Sequence, residues 1–194
     1  MYRKYFKNIF DISSSISLII ITLPIQILLF ILLFFYNKGK VFFIQERPGK
    51  NEQLFSLIKF KTMNSTTDSE GNLLNDSERV TALGKLLRKF GLDELPQLYL
   101  ILVGKMSFIG PRPLLTEYLK KYPENVRKRH DVKPGITGWA QVHGRNKQTW
   151  EERFNYDLLY VENYNFKLDL LILYKTIQQI LFKKDKGDTI MEKY

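Results

Sequence analysis

From Ile12 to Tyr36 the chain carries no charged residue, and from Leu18 onward it is almost wholly Leu, Ile and Phe. No other feature restricts the fold as strongly, because a run this apolar must be covered by protein or by lipid. At about 1.5 Å per helical residue it is long enough for a hydrocarbon core of roughly 30 Å. A cleaved export signal would also begin with basic residues such as Arg3, Lys4 and Lys7, but its apolar stretch is shorter and ends at a small-residue cleavage site. The run is therefore expected to persist as a membrane element rather than to be removed or to form the core helix of a soluble domain. Pro24, in its middle, removes a backbone donor and crowds the preceding turn, so a kink is expected there. Lys38, Lys40, Arg47 and Lys50 follow the run as Arg3, Lys4 and Lys7 precede it. Positive flanks favour the cytoplasmic side, so a re-entrant hairpin with both ends on one face suits them, and a straight span remains equally open.

The rest of a 194-residue chain suits one compact catalytic region, and the organisation read from the sequence is a membrane helix at 1–37, a domain at 38–185 and a charged tail at 186–194. Lys and Arg number 30 against 20 Asp and Glu, a net charge of +10, which favours partners that carry phosphate. Nucleic acid, anionic lipid and nucleotide all qualify. The chain has no cysteine and only two histidines, His130 and His143, which excludes disulfides, thiolate zinc sites and cysteine nucleophiles. A metal here should be a hard ion held by carboxylates and substrate phosphates, with magnesium the natural candidate.

Val41 to Arg47 and Leu54 to Phe60 are β-prone runs separated by Pro48-Gly49-Lys50-Asn51, which predicts a hairpin. The polar stretch Asn64 to Ser77 reads as a surface loop. Leu83, Leu86, Leu87 and Phe90 have the spacing of one helix face, with Gly91 suited to the end, and a second helix is expected from Leu92 to Val103 with Gly104 as its stop. Leu170, Leu173, Tyr174, Ile177 and Leu181 form a stripe that could pack on a core or lie in a membrane interface.

Asp93 and Glu94 would then occupy the first turn of the second helix. In isolation such a pair reads most simply as charge that complements a helix N-terminus. In a functional reading one carboxylate is a nucleophile or metal ligand and its neighbour positions it or handles a proton. An acidic pair cannot hold a diphosphate unaided, so a site of this kind needs magnesium and arginines. Gly110-Pro111-Arg112-Pro113 restrains an arginine from both sides, although a loop corner with a solvated arginine fits the tetrapeptide as well. Lys133-Pro134-Gly135-Ile136-Thr137-Gly138-Trp139 is a turn-rich loop followed by Gln141, Gly144, Arg145 and Asn146, suited to phosphate binding or to a purely structural loop. No Walker, Rossmann or GxSxG pattern is present.

In order and spacing, Lys59-Phe60-Lys61-Thr62-Met63, Arg79-Val80-Thr81 through Arg88, Leu92-Asp93-Glu94-Leu95-Pro96-Gln97-Leu98, Met106 to Pro113 and Lys133 to Val142 resemble the bacterial sugar transferase family, specifically its small monotopic phosphoglycosyl transferases. The resemblance extends from the basic start to about Phe182. It implies an α+β, mostly helical fold with a re-entrant membrane helix kinked near Pro24, a small β-hairpin and interfacial amphipathic helices. It also implies transfer of a sugar phosphate from a UDP-sugar to polyprenyl phosphate, undecaprenyl phosphate above all, with release of UMP at the cytoplasmic face of the bacterial inner membrane. Asp93 would be the nucleophile and Glu94 its helper, both near Mg2+, with Lys59, Arg88, Arg112 and Arg145 as phosphate contacts and Asp157 as a further substrate-binding acid. The implied partners are the two substrates and membrane lipid, not nucleic acid; the sequence does not name the sugar, and closeness to the small members suggests an N-acetylated amino sugar, a bacillosamine type being one option. Three departures stand out: Leu23 where the family often has Ser, Lys105 where Asp is usual, and His143 where Asn is common. The competing readings are a membrane-anchored basic adaptor without catalysis and a polytopic-type transferase, which would need many spans.

Overall fold

The computed structural model describes residues 1–144 and 148–182. A turn of π-helix, Tyr2–Phe6, runs directly into α1, Lys7–Tyr36. A continuous helix is what an apolar run needs, since every backbone donor and acceptor is then satisfied within the segment. α1 buries a narrow stripe of Asp11, Ser15, Gln26, Leu29 and Leu33, with Ile19 packed on the same side, at the three- and four-residue spacing of one face. The remaining surface is apolar and exposed, Ile21 and Phe35 by 70% and 76%. The helix continues on either side of Pro24, which cannot donate to Ile20. Beside it Thr22 Oγ1 donates to the Leu18 carbonyl at 2.6 Å and accepts from Gln26 Nε2 at 2.9 Å, a back-bond of the kind that bends helices.

Both ends of α1 are fastened to the same domain. At the start, Arg3 donates to the carbonyls of Glu162 and Tyr164 at 2.6 and 3.0 Å, and Lys7 pairs with Asp169 at 2.7 Å. At the far end, Asn37 Nδ2 donates to the Lys61 carbonyl at 3.0 Å.

The predicted hairpin is present as β1, Phe42–Pro48, antiparallel to β2, Leu54–Phe60, with Phe43 opposite Lys59 and Arg47 opposite Phe55. Its turn closes through Gly49 N to Gln53 O at 2.9 Å. The polar stretch after β2 is mostly exposed and ends in a capping box of Asn75 and Glu78 that starts the short α2, Asp76–Arg79. α3, Ala82–Phe90, is capped by Thr81, whose Oγ1 accepts from Gly84 N at 3.0 Å, and stops at Gly91 in the left-handed region. Its Leu87 packs with Leu29 and Leu33 of α1, Val41 and Phe60. Burying each such leucine contributes about 1.5–3 kcal/mol.

The expected second helix is divided. Leu92–Glu94 forms a 3-10 turn, and α4, Gln97–Leu102, begins only after Pro96. Proline has no N–H to continue an α-helical ladder, so the chain uses three-residue bonds instead, Leu95 N to Leu92 O, Leu98 N to Leu95 O and Tyr99 N to Pro96 O.

Periodicity gave no sign of the parallel pair β3, Ser107–Ile109, and β4, Gly135–Thr137. It brings Gly110 against Gly135 so closely that a Cβ on Gly135 would lie 2.1 Å from Gly110 N. The chain then forms α5, Trp139–His143, α6, Trp150–Asn163, and α7, Phe166–Phe182. α6 opens on a capping box of Thr149 and Glu152, and Ile172 of α7 is fully buried with Ile109, Val142 and Tyr160. The outer side of α7, including Leu170, Tyr174, Ile177 and Leu181, is exposed, so only part of the predicted stripe is core. Among the described residues the architecture is α+β and mostly helical, with two small two-stranded sheets.

Candidate active site

Four elements converge on the acidic pair. Lys59 comes from the end of β2, Arg88 from the last turn of α3, Asp93 and Glu94 from the 3-10 turn that follows it, and Arg112 from the loop after β3. Gly91, with φ of 69°, turns the chain sharply enough to set the pair beside α3.

The two carboxylates sit in different environments. Glu94 Oε1 accepts from Lys59 Nζ at 2.7 Å and from Arg112 Nη2 at 3.4 Å. Burial by itself would raise the pKa of Glu94, but the charges and hydrogen bonds of Lys59 and Arg112 outweigh it and bring the value to about 2. Asp93 is 8% exposed, its carboxylate meets its own backbone N–H, and no side chain among the described residues pairs with it. Burial, then the neighbouring Glu94 charge, push its pKa up, while Lys59 and Arg88 draw it part of the way back. A pair of carboxyls driven in opposite directions has separate roles available to it: a fixed anion held by cations, and a less solvated, more basic oxygen free to react.

Arg88 is held by Nε donating to Thr62 Oγ1 at 2.9 Å. Arg112 Nη2 donates to Glu94 Oε1, and the Arg112 side chain is 37% exposed. Asp157 does not join the acidic pair. It is 3% exposed and its Oδ2 accepts from Arg129 Nη2 and Nε at 2.6 and 3.0 Å, while the same Nη2 donates to the Arg112 carbonyl at 2.8 Å. Arg145 lies outside the described residues.

Among the described residues no group of three or more His, Cys, Asp or Glu could cage a metal. Two adjacent carboxylates fit magnesium, which takes one or two protein oxygens and completes its shell with water and substrate phosphate.

The chain matches the family described as bacterial sugar transferase over residues 2–183. It belongs to that family. It is 47% identical to the uncharacterised sugar transferase EpsL of Bacillus subtilis strain 168, over 90% of this chain and 87% of the relative. It is 36% identical to the UDP-N-acetylgalactosamine-undecaprenyl-phosphate N-acetylgalactosaminephosphotransferase of Aeromonas hydrophila, over 91% of this chain and 44% of that protein. It is 35% identical to the undecaprenyl-phosphate galactose phosphotransferase of Salmonella typhimurium, over 92% of this chain and 41% of that protein. The chain thus spans less than half the length of these last two relatives.

Sequence reasoning missed the buried Arg129 and the half-buried Arg47 behind this bacterial sugar transferase site. Arg129 lies among charged neighbours in the run Glu124-Asn125-Val126-Arg127-Lys128-Arg129-His130, and its partner Asp157 is 28 positions away. Arg47 reads as membrane-flanking charge.

If Asp93 must be ionised to react, turnover falls as pH drops through its raised pKa, so the acid limb of kcat/KM should lie above the ordinary aspartate value of 3.8. Glu94, at about 2, stays ionised throughout. Lys59→Ala removes a charge that favours ionised Asp93 and should move the limb to higher pH. A limb that stays in place in a pH–rate series would contradict this assignment.

Proposed function

We propose that this bacterial sugar transferase moves a sugar 1-phosphate from a UDP-sugar to undecaprenyl phosphate, through a covalent intermediate on Asp93. The observation that carries the reading is the contrast within the acidic pair: Glu94 is neutralised by Lys59 and Arg112, and its buried neighbour Asp93 is left without a side-chain partner among the described residues. The named relatives from Aeromonas and Salmonella act on undecaprenyl phosphate, which supports the acceptor class. Their sugars differ, N-acetylgalactosamine in one and galactose in the other, so family membership does not select the sugar.

In the first step an Asp93 oxygen attacks the β-phosphorus of the donor. The bond from that phosphorus to the bridging oxygen breaks, and UMP departs with the oxygen and the electron pair. In the second step a phosphate oxygen of the lipid attacks the same phosphorus, the aspartyl oxygen leaves, and Asp93 is restored as polyprenyl diphosphate sugar forms. Arg112 offers its guanidinium donors to the transferring phosphate, with Arg88 and Lys59 adding positive charge around it. Glu94 holds Lys59 and Arg112 in place. Magnesium, held by Asp93 and Glu94 oxygens together with the donor phosphates, would offset the diphosphate charge.

In this reading the lipid acceptor approaches past the exposed aromatic residues of the hairpin and α1. Phe43 lies opposite Lys59 and is exposed, and Phe42 contacts Phe30 of α1 with ring centroids 6.1 Å apart. Phe42 thus packs on the α1 side of the hairpin, while Phe43, next to it in the strand, lies on the face that carries Lys59. Attachment of both ends of α1 to one domain favours a re-entrant helix, with the catalytic region on the cytoplasmic face of the inner membrane.

Two experiments test this reading. Enzyme mixed with magnesium and a competent UDP-sugar, without lipid acceptor, should release about one UMP per active site, and Asp93→Asn should abolish the burst. A non-catalytic adaptor would give no UMP, and a ternary mechanism would give none until acceptor is added. Because the chain has no cysteine, Lys4→Cys and Lys40→Cys can each be labelled in membrane vesicles with an impermeant maleimide. Both should react from the cytoplasmic side, whereas labelling from opposite sides would establish a span.

A further inference from the structure

Pro111 and Pro113 have no N–H, so the segment that carries Arg112 must be fastened largely through its carbonyls. Three consecutive carbonyls are taken by donors from three separate places. Pro111 O accepts from Gly135 N of β4 at 3.1 Å, Arg112 O from Arg129 Nη2 at 2.8 Å, and Pro113 O from Arg47 Nη1 of β1 at 3.3 Å. Each guanidinium is itself anchored: Arg129 by the fully buried Asp157 and by Tyr122 OH, to which its Nη1 donates at 3.3 Å, and Arg47 by Nη2 donating to Gln45 Oε1 at 2.6 Å.

We propose that Arg47 and Arg129, the latter locked by Asp157, are positioning residues that clamp the carbonyls on either side of the Arg112–Pro113 bond and so aim the Arg112 guanidinium at the donor phosphate. The proposal rests on the reading of Arg112 as a phosphate contact, and it gives Asp157 a task that does not require touching substrate. The planar fork of arginine suits this use, because one guanidinium can meet a carbonyl and its own anchor at once. The arrangement also concentrates charge. Arg47 has its pKa lowered to about 10 by burial and then by the charge of Arg112, and Arg153, close to Arg112, Arg129 and Asp157, is lowered to about 10 chiefly by burial. An uncharged donor could cap a carbonyl without that repulsion. Arginines add a positive field behind Arg112, where a diphosphate would arrive.

Asp157→Asn and Arg129→Lys disturb a buried ion pair and can unfold the protein, so the decisive variant is the partly exposed Arg47→Gln, paired with Arg112→Ala in a double-mutant cycle on the full-length enzyme. Arg47→Gln alone should reduce kcat/KM for the UDP-sugar by about tenfold, yet change it less than about twofold in the Arg112→Ala background, and Arg47→Lys should recover part of the loss. Hydrogen exchange at the Gly110 and Gly135 amides, which donate to Thr137 O and Pro111 O, should rise about tenfold in Arg47→Gln without a comparable rise in α4 or α7. Unchanged exchange, or kinetic losses that multiply in the double variant, would overturn the clamp. Raised exchange with a silent Arg112→Ala would keep the clamp and instead remove the phosphate contact.

Discussion

Lys59 reaches from the end of β2 to Glu94 at 2.7 Å, and this ion pair joins the hairpin to the turn that carries Asp93. Two adjacent carboxylates repel each other when both are ionised, and burial of Asp93 sharpens that repulsion. Lys59 and Arg112 relieve it by fixing the charge of Glu94, so the pair no longer behaves as two equivalent acids. The rest of the site follows from this asymmetry. α3 with its left-handed stop at Gly91 places the turn, β2 brings the lysine, and the proline-bounded loop brings the arginine.

The apolar helix α1 belongs to the same construction. Its buried stripe supplies Leu29 and Leu33 to the cluster that also holds Leu87 and Phe60, the residue next to Lys59. Its first turns meet α7 and β3, where Asp11 Oδ1 accepts from Phe108 N at 3.2 Å, just ahead of the Arg112 loop. The exposed apolar surface of α1 and the cations around Glu94 therefore belong to a single packed unit.

Local pattern made much of this legible. The helix of α1, the hairpin, α3 with its glycine stop and the stripe of α7 follow from periodicity and turn residues. The division before α4 was also written in Pro96, although leucines on both sides masked it. The parallel pairing of Ser107–Ile109 with Gly135–Thr137 was not legible, since strands of three residues carry too little pattern and their partners lie far apart in the chain. The site shows the same division. Asp93, Glu94, Lys59, Arg88 and Arg112 could be marked through resemblance, but nothing in the sequence distinguishes buried Arg129 from its exposed neighbour Lys128, because burial is decided by Asp157 across the fold.

The central claim is that Asp93, rather than Glu94, forms a bond to the transferred phosphate. Enzyme incubated with a competent UDP-sugar and magnesium, quenched, digested and read by peptide mass spectrometry tests it most directly. The expected result is a sugar-phosphate adduct on Asp93 that forms without lipid acceptor and disappears when polyprenyl phosphate is added. An adduct on Glu94, or product that forms only when both substrates are present and leaves no adduct at any stage, would contradict it.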